Sequence, residues 1–187
     1  MKAIWMGFST VLFALGMMPL RENPAQVRQG SATNAVQTAS GQTGLLYDDV
    51  YLKHLAGDTG HPERPERLTA IWNGLEKAGL LKSLYTIAPR RATEQELRLV
   101  HSQSYLEIVR RELMDLKGLH ELSTGDTLTS PGSLEAAQFA AGGVLNAVDA
   151  VMARKVKNAF CAVRPPGHHA TPTRGMGFCV YNNVAIA

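Results

Sequence analysis

Two histidines stand side by side at His168 and His169, behind Arg164, Pro165, Pro166 and Gly167 and ahead of Gly177, Phe178 and Cys179. Imidazole is the side chain whose ordinary pKa lies nearest neutrality, so it gives and takes protons with little tuning by its surroundings. A pair can divide that work, one ring exchanging protons with water or a leaving group while the other is held by a carboxylate and acts through its charge. Two solvated surface histidines, or a core histidine bonded to a backbone carbonyl, are the alternatives that the pair alone leaves open.

The apolar run 159–163 predicts a short buried strand, bounded by Asn158 and by the Arg-Pro-Pro that follows. Each proline restricts its own φ, and Pro166 biases Pro165 toward an extended conformation, so the chain leaves the strand in a nearly rigid direction. Gly167 admits an unusual backbone angle or a close approach. The pair is thereby placed at the C-terminal edge of a strand, where open α/β sheets bind ligands.

RPPGHHA (residues 164–170) followed by GMGFCVYNN (175–183) resembles the active-site core of the histone deacetylase superfamily, which includes bacterial deacetylases and acetylpolyamine amidohydrolases. TGLLYDDVYLKH (43–54), GHPERPERLTAI (60–71) and LVHSQSYLEIV (99–109) agree with it in the same order. Four ordered motifs are far more specific than one. The resemblance covers residues 43–187 and implies a three-layer α/β fold with a parallel sheet, arginase/deacetylase-like, here in truncated form.

For function, the resemblance implies metal-assisted amide hydrolysis, in which Zn2+ polarises the acetamide carbonyl and activates a water. By matched position His169 is the main general base and acid, and His168 the partner oriented by an acidic residue further along the chain. Phe178 lines a narrow tunnel around the acyl-amine stem, and Gly177 lets the tunnel wall approach. Asp126 is the nearest match to an acidic residue at the pocket rim, although an Asp after Gly is also an ordinary turn former. Arg67 matches an arginine lining an internal channel, with a salt bridge on the first turn of a helix as the alternative. Tyr181 reads as packing. Substrates implied are acylated lysine or a small acylated amine. The family's zinc ligands, in an Asp-x-His motif and a later Asp, and its catalytic tyrosine have no counterpart in residues 1–187. The chain alone is therefore expected neither to bind zinc tightly nor to hydrolyse acetyl-lysine, with the deacylase activity belonging to a longer parent. The alternative is a non-catalytic acyl-amine binding module or relic.

Hydrophobic residues make up 45% of the 187, enough for a packed core, while the formal charge of +3 is dispersed and forms no basic stripe for nucleic acid. Residues 3–20 carry no charge and lie between Lys2 and Arg21, the pattern of a secretory signal peptide or of an uncleaved anchor. That predicts export, with membrane contact only through this segment. Residues 21–42, rich in Gln, Ala, Ser, Thr, Asn and Gly, read as a flexible linker. Cys161 and Cys179 read as two unpaired, largely buried thiols.

Within 43–187 the patterns predict strands at 44–47 and 84–88 and a helix at 65–77 with Leu68, Ile71, Trp72 and Leu75 on its apolar face. Thr93 and Glu96 form a capping box, and a further helix starts near Ser102. Residues 119–132 show no pattern. Ser130 and Pro131 open a long helix to Arg154, with Leu134, Ala137, Ala141, Val144, Leu145, Val148 and Val151 facing inward. Asn182 or Asn183 caps a last helix. His54, Asp58, His61 and Glu63 lie in the polar loop 48–65 and read as solvated side chains, with the proline-fixed part shaping one pocket wall.

Overall fold

The computed structural model describes residues 41–58 and 60–187, so the predicted signal segment 1–20 and all but the end of the predicted linker lie outside the described residues. The elements are β1 (Thr43–Leu46), α1 (Glu66–Lys77), β2 (Tyr85–Ile87), α2 (Glu94–Leu97), α3 (Gln103–Leu113), β3 (His120–Glu121), β4 (Leu128–Thr129), α4 (Ser133–Met152), β5 (Asn158–Cys161) and α5 (Asn183–Ile186). Each falls on or within a residue or two of a predicted element, except β3 and β4.

β1 pairs in parallel with both β2 and β5, giving the order β2-β1-β5, with Leu46 opposite Ile87 on one side and Cys161 on the other. Parallel neighbours require crossovers, and the intervening helices supply them. The predicted strand at 159–163 ends at Cys161, although the Ala162 N–H still donates to Leu46 O at 2.9 Å. Residues 119–132, without pattern in the sequence, contain the antiparallel pair β3–β4, two residues a side.

The capping box forms, with the Thr93 hydroxyl accepting from Glu96 N and the Glu96 carboxylate from Thr93 N. Ser102 caps α3 and Asn182 caps α5 through their side chains. The start of α4 differs from expectation. Gly132 at φ 86° is its N-cap, and the Ser130 hydroxyl instead accepts from Leu55 N at 2.8 Å.

α4 lies across all three strands of the sheet, and its inward face is wider than expected. Of the predicted inward residues Ala137 and Ala141 are buried, Leu134, Val144, Leu145 and Val151 are half-buried against the core and Val148 is exposed, while Ala136, Ala140, Gly143, Ala147 and Ala150 are buried as well. Gly143 faces Leu46 and the Tyr51 hydroxyl, and Gly142 faces the backbone of residues 90–92, so small side chains let the helix approach sheet and loop. Leu46 and Val109, both fully buried, anchor two apolar clusters, each side chain contributing roughly 1.5–3 kcal/mol. On α1 only Leu68 is buried, and Ile71 of its predicted apolar face is exposed. Among the described residues no helix is long and apolar enough to cross a membrane.

Candidate active site

Because β1 and β5 run parallel, their C-terminal ends share one edge of the sheet. A short 3-10 helix (Asp49–Lys53) leaves β1 there and the histidine loop leaves β5 there. Arg164 joins them. Its Nη1 donates to Tyr51 O (3.1 Å) and His54 O (2.9 Å), while Nε and Nη2 form a fork on the Glu63 carboxylate at 2.7 and 2.6 Å. This bidentate, charge-assisted geometry is the strong form of an ion pair, and Arg164 anchors the loop ahead of a cis Arg164–Pro165 peptide. Arg67, on the first turn of α1, brings Nη1 to 3.5 Å from Glu63 Oε1 with its side chain largely exposed.

Loop 48–65 is therefore not uniformly solvated, contrary to the expectation from its composition. His54 and Glu63 are buried because they serve the Arg164 anchor. His54 Nδ1 meets Ser133 Oγ at 2.8 Å, and Nε2 lies 3.6 Å from Glu63 Oε2. Burial foremost, then the Arg164 charge and His61, push the His54 pKa down to about 3. The ring is neutral, and its approach to Glu63 is a dipole meeting a charge.

The far side of the histidine loop is tied to α3 and α5. Gly167 packs so closely on Asn183 that any Cβ would collide with it, and Gly167 O accepts from Val184 N at 3.0 Å. Asn182 Nδ2 donates to Ala170 O (2.8 Å), and Asn182 N donates to His101 Nε2 (2.9 Å). Burial lowers the His101 pKa, which suits a neutral, accepting ring. Ser102 N donates to Pro172 O (2.9 Å) and the Tyr105 hydroxyl to Val180 O (2.5 Å). The 99–109 motif is thus a scaffold for the loop rather than a source of reacting groups. Tyr181 is buried in the same cluster.

Between these supports the His168 and His169 rings lie with centroids 4.2 Å apart, inclined by 47°, and both residues are exposed. Gly177 backs onto His169: a Cβ there would stand 2.8 Å from His169 Cδ2, and its φ is 57°. Phe178 meets the His61 ring edge-on at 4.7 Å. Asp126 Oδ1 accepts from Gly177 N at 3.0 Å. Of the predicted site residues, His168, His169, Gly177, Phe178 and Asp126 come together here, and Arg67 contacts Glu63. His61, Glu63 and His101 join them through contacts across as many as 117 positions of sequence, which no local spacing signals. Both cysteines are free thiols.

Among the described residues no group of three or more His, Cys, Asp or Glu side chains could hold a metal ion. These residues do not by themselves fit zinc.

Residues 61–187 match the family described as the histone deacetylase domain. The chain belongs to the histone deacetylase family. It is 44% identical over 148 residues to the human polyamine deacetylase HDAC10, covering 78% of this chain and 21% of that protein. To a probable deacetylase of Archaeoglobus fulgidus it is 38% identical over 146 residues, 77% of this chain and 39% of the relative. The crystal structure of the HDA15 HD domain superposes with a TM-score of 0.71 at 35% identity, over 79% of this chain and 42% of that one. The deacetylase-family chain thus spans less than half the length of these relatives. Its parallel sheet and helices are the arginase/deacetylase-like α/β fold.

Proposed function

We propose that these residues form the proton-transfer and tunnel-wall part of a deacetylase site that hydrolyses an acylated primary amine, acetyl-lysine or an acetylated polyamine. The carrying observation is the His168–His169 pair, packed ring to ring and backed by Gly177 beside Phe178. Amide hydrolysis requires a water to lose a proton as it attacks the carbonyl carbon and the departing amine to gain one. His169 takes the first proton and returns it to the amine nitrogen. His168 stabilises the charged ring that forms between these steps. Phe178 packs on the methylenes of the amine stem and excludes water from it. The zinc of the family, when bound, supplies carbonyl polarisation, and its ligands are not furnished by the described residues. Names such as polyamine deacetylase and probable deacetylase among the relatives support an acylated amine as substrate. The uncharged stretch 3–20 supports export as the accompanying reading.

A chimera in which residues 43–187 replace the matching segment of the Archaeoglobus fulgidus relative tests this. It is expected to release acetate from an acetyl-lysine peptide or an acetylated polyamine, and His169→Ala to slow it by about 10²–10⁴-fold. A folded chimera whose turnover survives both His168→Ala and His169→Ala overturns the reading. One that binds acylated amines without turnover favours a binding module. The 187-residue chain alone is expected to show no turnover.

A further inference from the structure

The turn that backs onto His169 is conformationally unfavourable. Met176 and Cys179 exchange backbone hydrogen bonds at 3.2 and 3.0 Å, and the two residues between them, Gly177 and Phe178, have φ of 57° and 68°. Two central residues with positive φ are the type I′ pattern, which favours Asn and Gly. Glycine meets that demand at position 177, but a bulky aromatic residue at positive φ is an outlier that the surroundings must impose.

The tip of the β3–β4 hairpin packs against this turn. Four hydrogen bonds cross from residues 124–127 to residues 174–179: Arg174 Nε to Thr124 O (3.1 Å), Gly175 N to Thr124 Oγ1 (3.5 Å), Gly177 N to Asp126 Oδ1 (3.0 Å) and Thr127 Oγ1 to Cys179 O (3.2 Å). Gly125 lies against the Gly175 backbone so closely that a Cβ would overlap its carbonyl. The tip itself hangs from α3, where the Glu112 carboxylate accepts from Ser123 N, the Ser123 hydroxyl and His120 Nε2. Only one of the four crossing bonds reaches the two positive-φ residues, and its acceptor is a carboxylate, so it is charge-assisted.

We propose that Asp126 is a positioning residue: by accepting the Gly177 N–H it holds the Gly177–Phe178 turn in its positive-φ conformation, and the turn in its place against the His169 ring. Removing the acceptor frees the turn to relax, so that Phe178 leaves His61 and Gly177 leaves His169. The consequence for catalysis rests on the deacetylase reading of His169; the latch itself does not.

The test is amide hydrogen exchange of Gly177 and Phe178 by NMR in the 187-residue protein without substrate, together with the His169 ring resonances. Asp126→Ala is expected to speed Gly177 exchange by about tenfold, the low end for a hydrogen bond to a charged group because this one is exposed, and to move the His169 signals. Asp126→Asn keeps an acceptor oxygen without its charge and is expected to speed exchange only about threefold. Asp126→Leu, near in volume but without an acceptor, replaces Asp126→Ala should that variant not fold. Unchanged Gly177 exchange and His169 signals in the acceptor-free variant overturn the proposal. So does an Asp126→Asn variant as disturbed as Asp126→Ala. A chimera without deacetylase activity leaves these measurements standing, and unchanged exchange leaves the deacetylase reading standing, so the two fail separately.

Discussion

Substituting Glu63 by Gln removes the counter-charge of Arg164 while keeping the side-chain volume and one acceptor oxygen. Both side chains are almost wholly inaccessible to water, at 2% for Glu63 and 4% for Arg164. The guanidinium is then left buried with the Tyr51 and His54 carbonyls and an amide oxygen, and with no negative charge in contact. Breaking a buried pair from one side costs about 3–5 kcal/mol, and the retained amide oxygen places Glu63→Gln near 3 kcal/mol. Arg164→Met is expected to cost less, about 2 kcal/mol, because Arg67 already stands 3.5 Å from Glu63 and supplies a second positive charge from the solvent side. The double variant leaves no uncompensated charge, so its cost is expected to fall about 2 kcal/mol short of the sum. Urea unfolding followed by the fluorescence of Trp72, whose ring packs 4.4 Å from that of Tyr47, reads all three. A Glu63→Gln cost below about 1 kcal/mol, or costs that simply add, refutes the claim that this pair pins the histidine loop.

The depressed pKa of His54 makes stability depend on pH. The unfolded chain takes up a proton near 6.5 that the folded chain refuses until about 3, so the ring's contribution is complete above pH 6.5 and is lost as the pH falls toward 3, by up to about 1.4 kcal/mol per unit. His54→Gln is expected to flatten that slope in unfolding titrations between pH 4 and 7.5, and equal slopes contradict it. Two glycine substitutions separate packing from helix propensity. Gly142→Ala drives a methyl group into the backbone of residues 90–92 and is expected to cost about 1–3 kcal/mol, whereas Gly74→Ala, with nothing within 4 Å, is expected to stabilise α1 by about 0.5–1 kcal/mol. Thermal unfolding of both reads the difference, and the same sign for both rejects the packing account.

Local signals located most of the fold. Thr93 caps α2 in the predicted capping box and Asn182, one of the two candidates, caps α5, because a cap depends on residues three positions apart. On α4 the pattern found Ala137 and Ala141 but passed over Ala136, Ala140 and Gly143 and placed the exposed Val148 inside, because hydrophobicity ranks valine above alanine and glycine. Close approach to a sheet selects instead for the smallest side chains, and only the packed partner shows which criterion applies. The hairpin at 120–129 was invisible because strands of two residues have no periodicity to detect.

The sequence by itself determined which family the chain resembles and singled out the residues proposed to carry the chemistry. His168–His169 behind a diproline, with Gly177–Phe178 after it, is a local pattern, and local patterns survive in one dimension. Only the tertiary structure decided what holds that pattern in place. Glu63 grips Arg164 from 101 positions away, His101 holds Asn182 from 81, and Asp126 holds Gly177 from 51. Each of these contacts joins a buried or strained group to a partner that folding alone brings near it, so no spacing along the chain could have announced it.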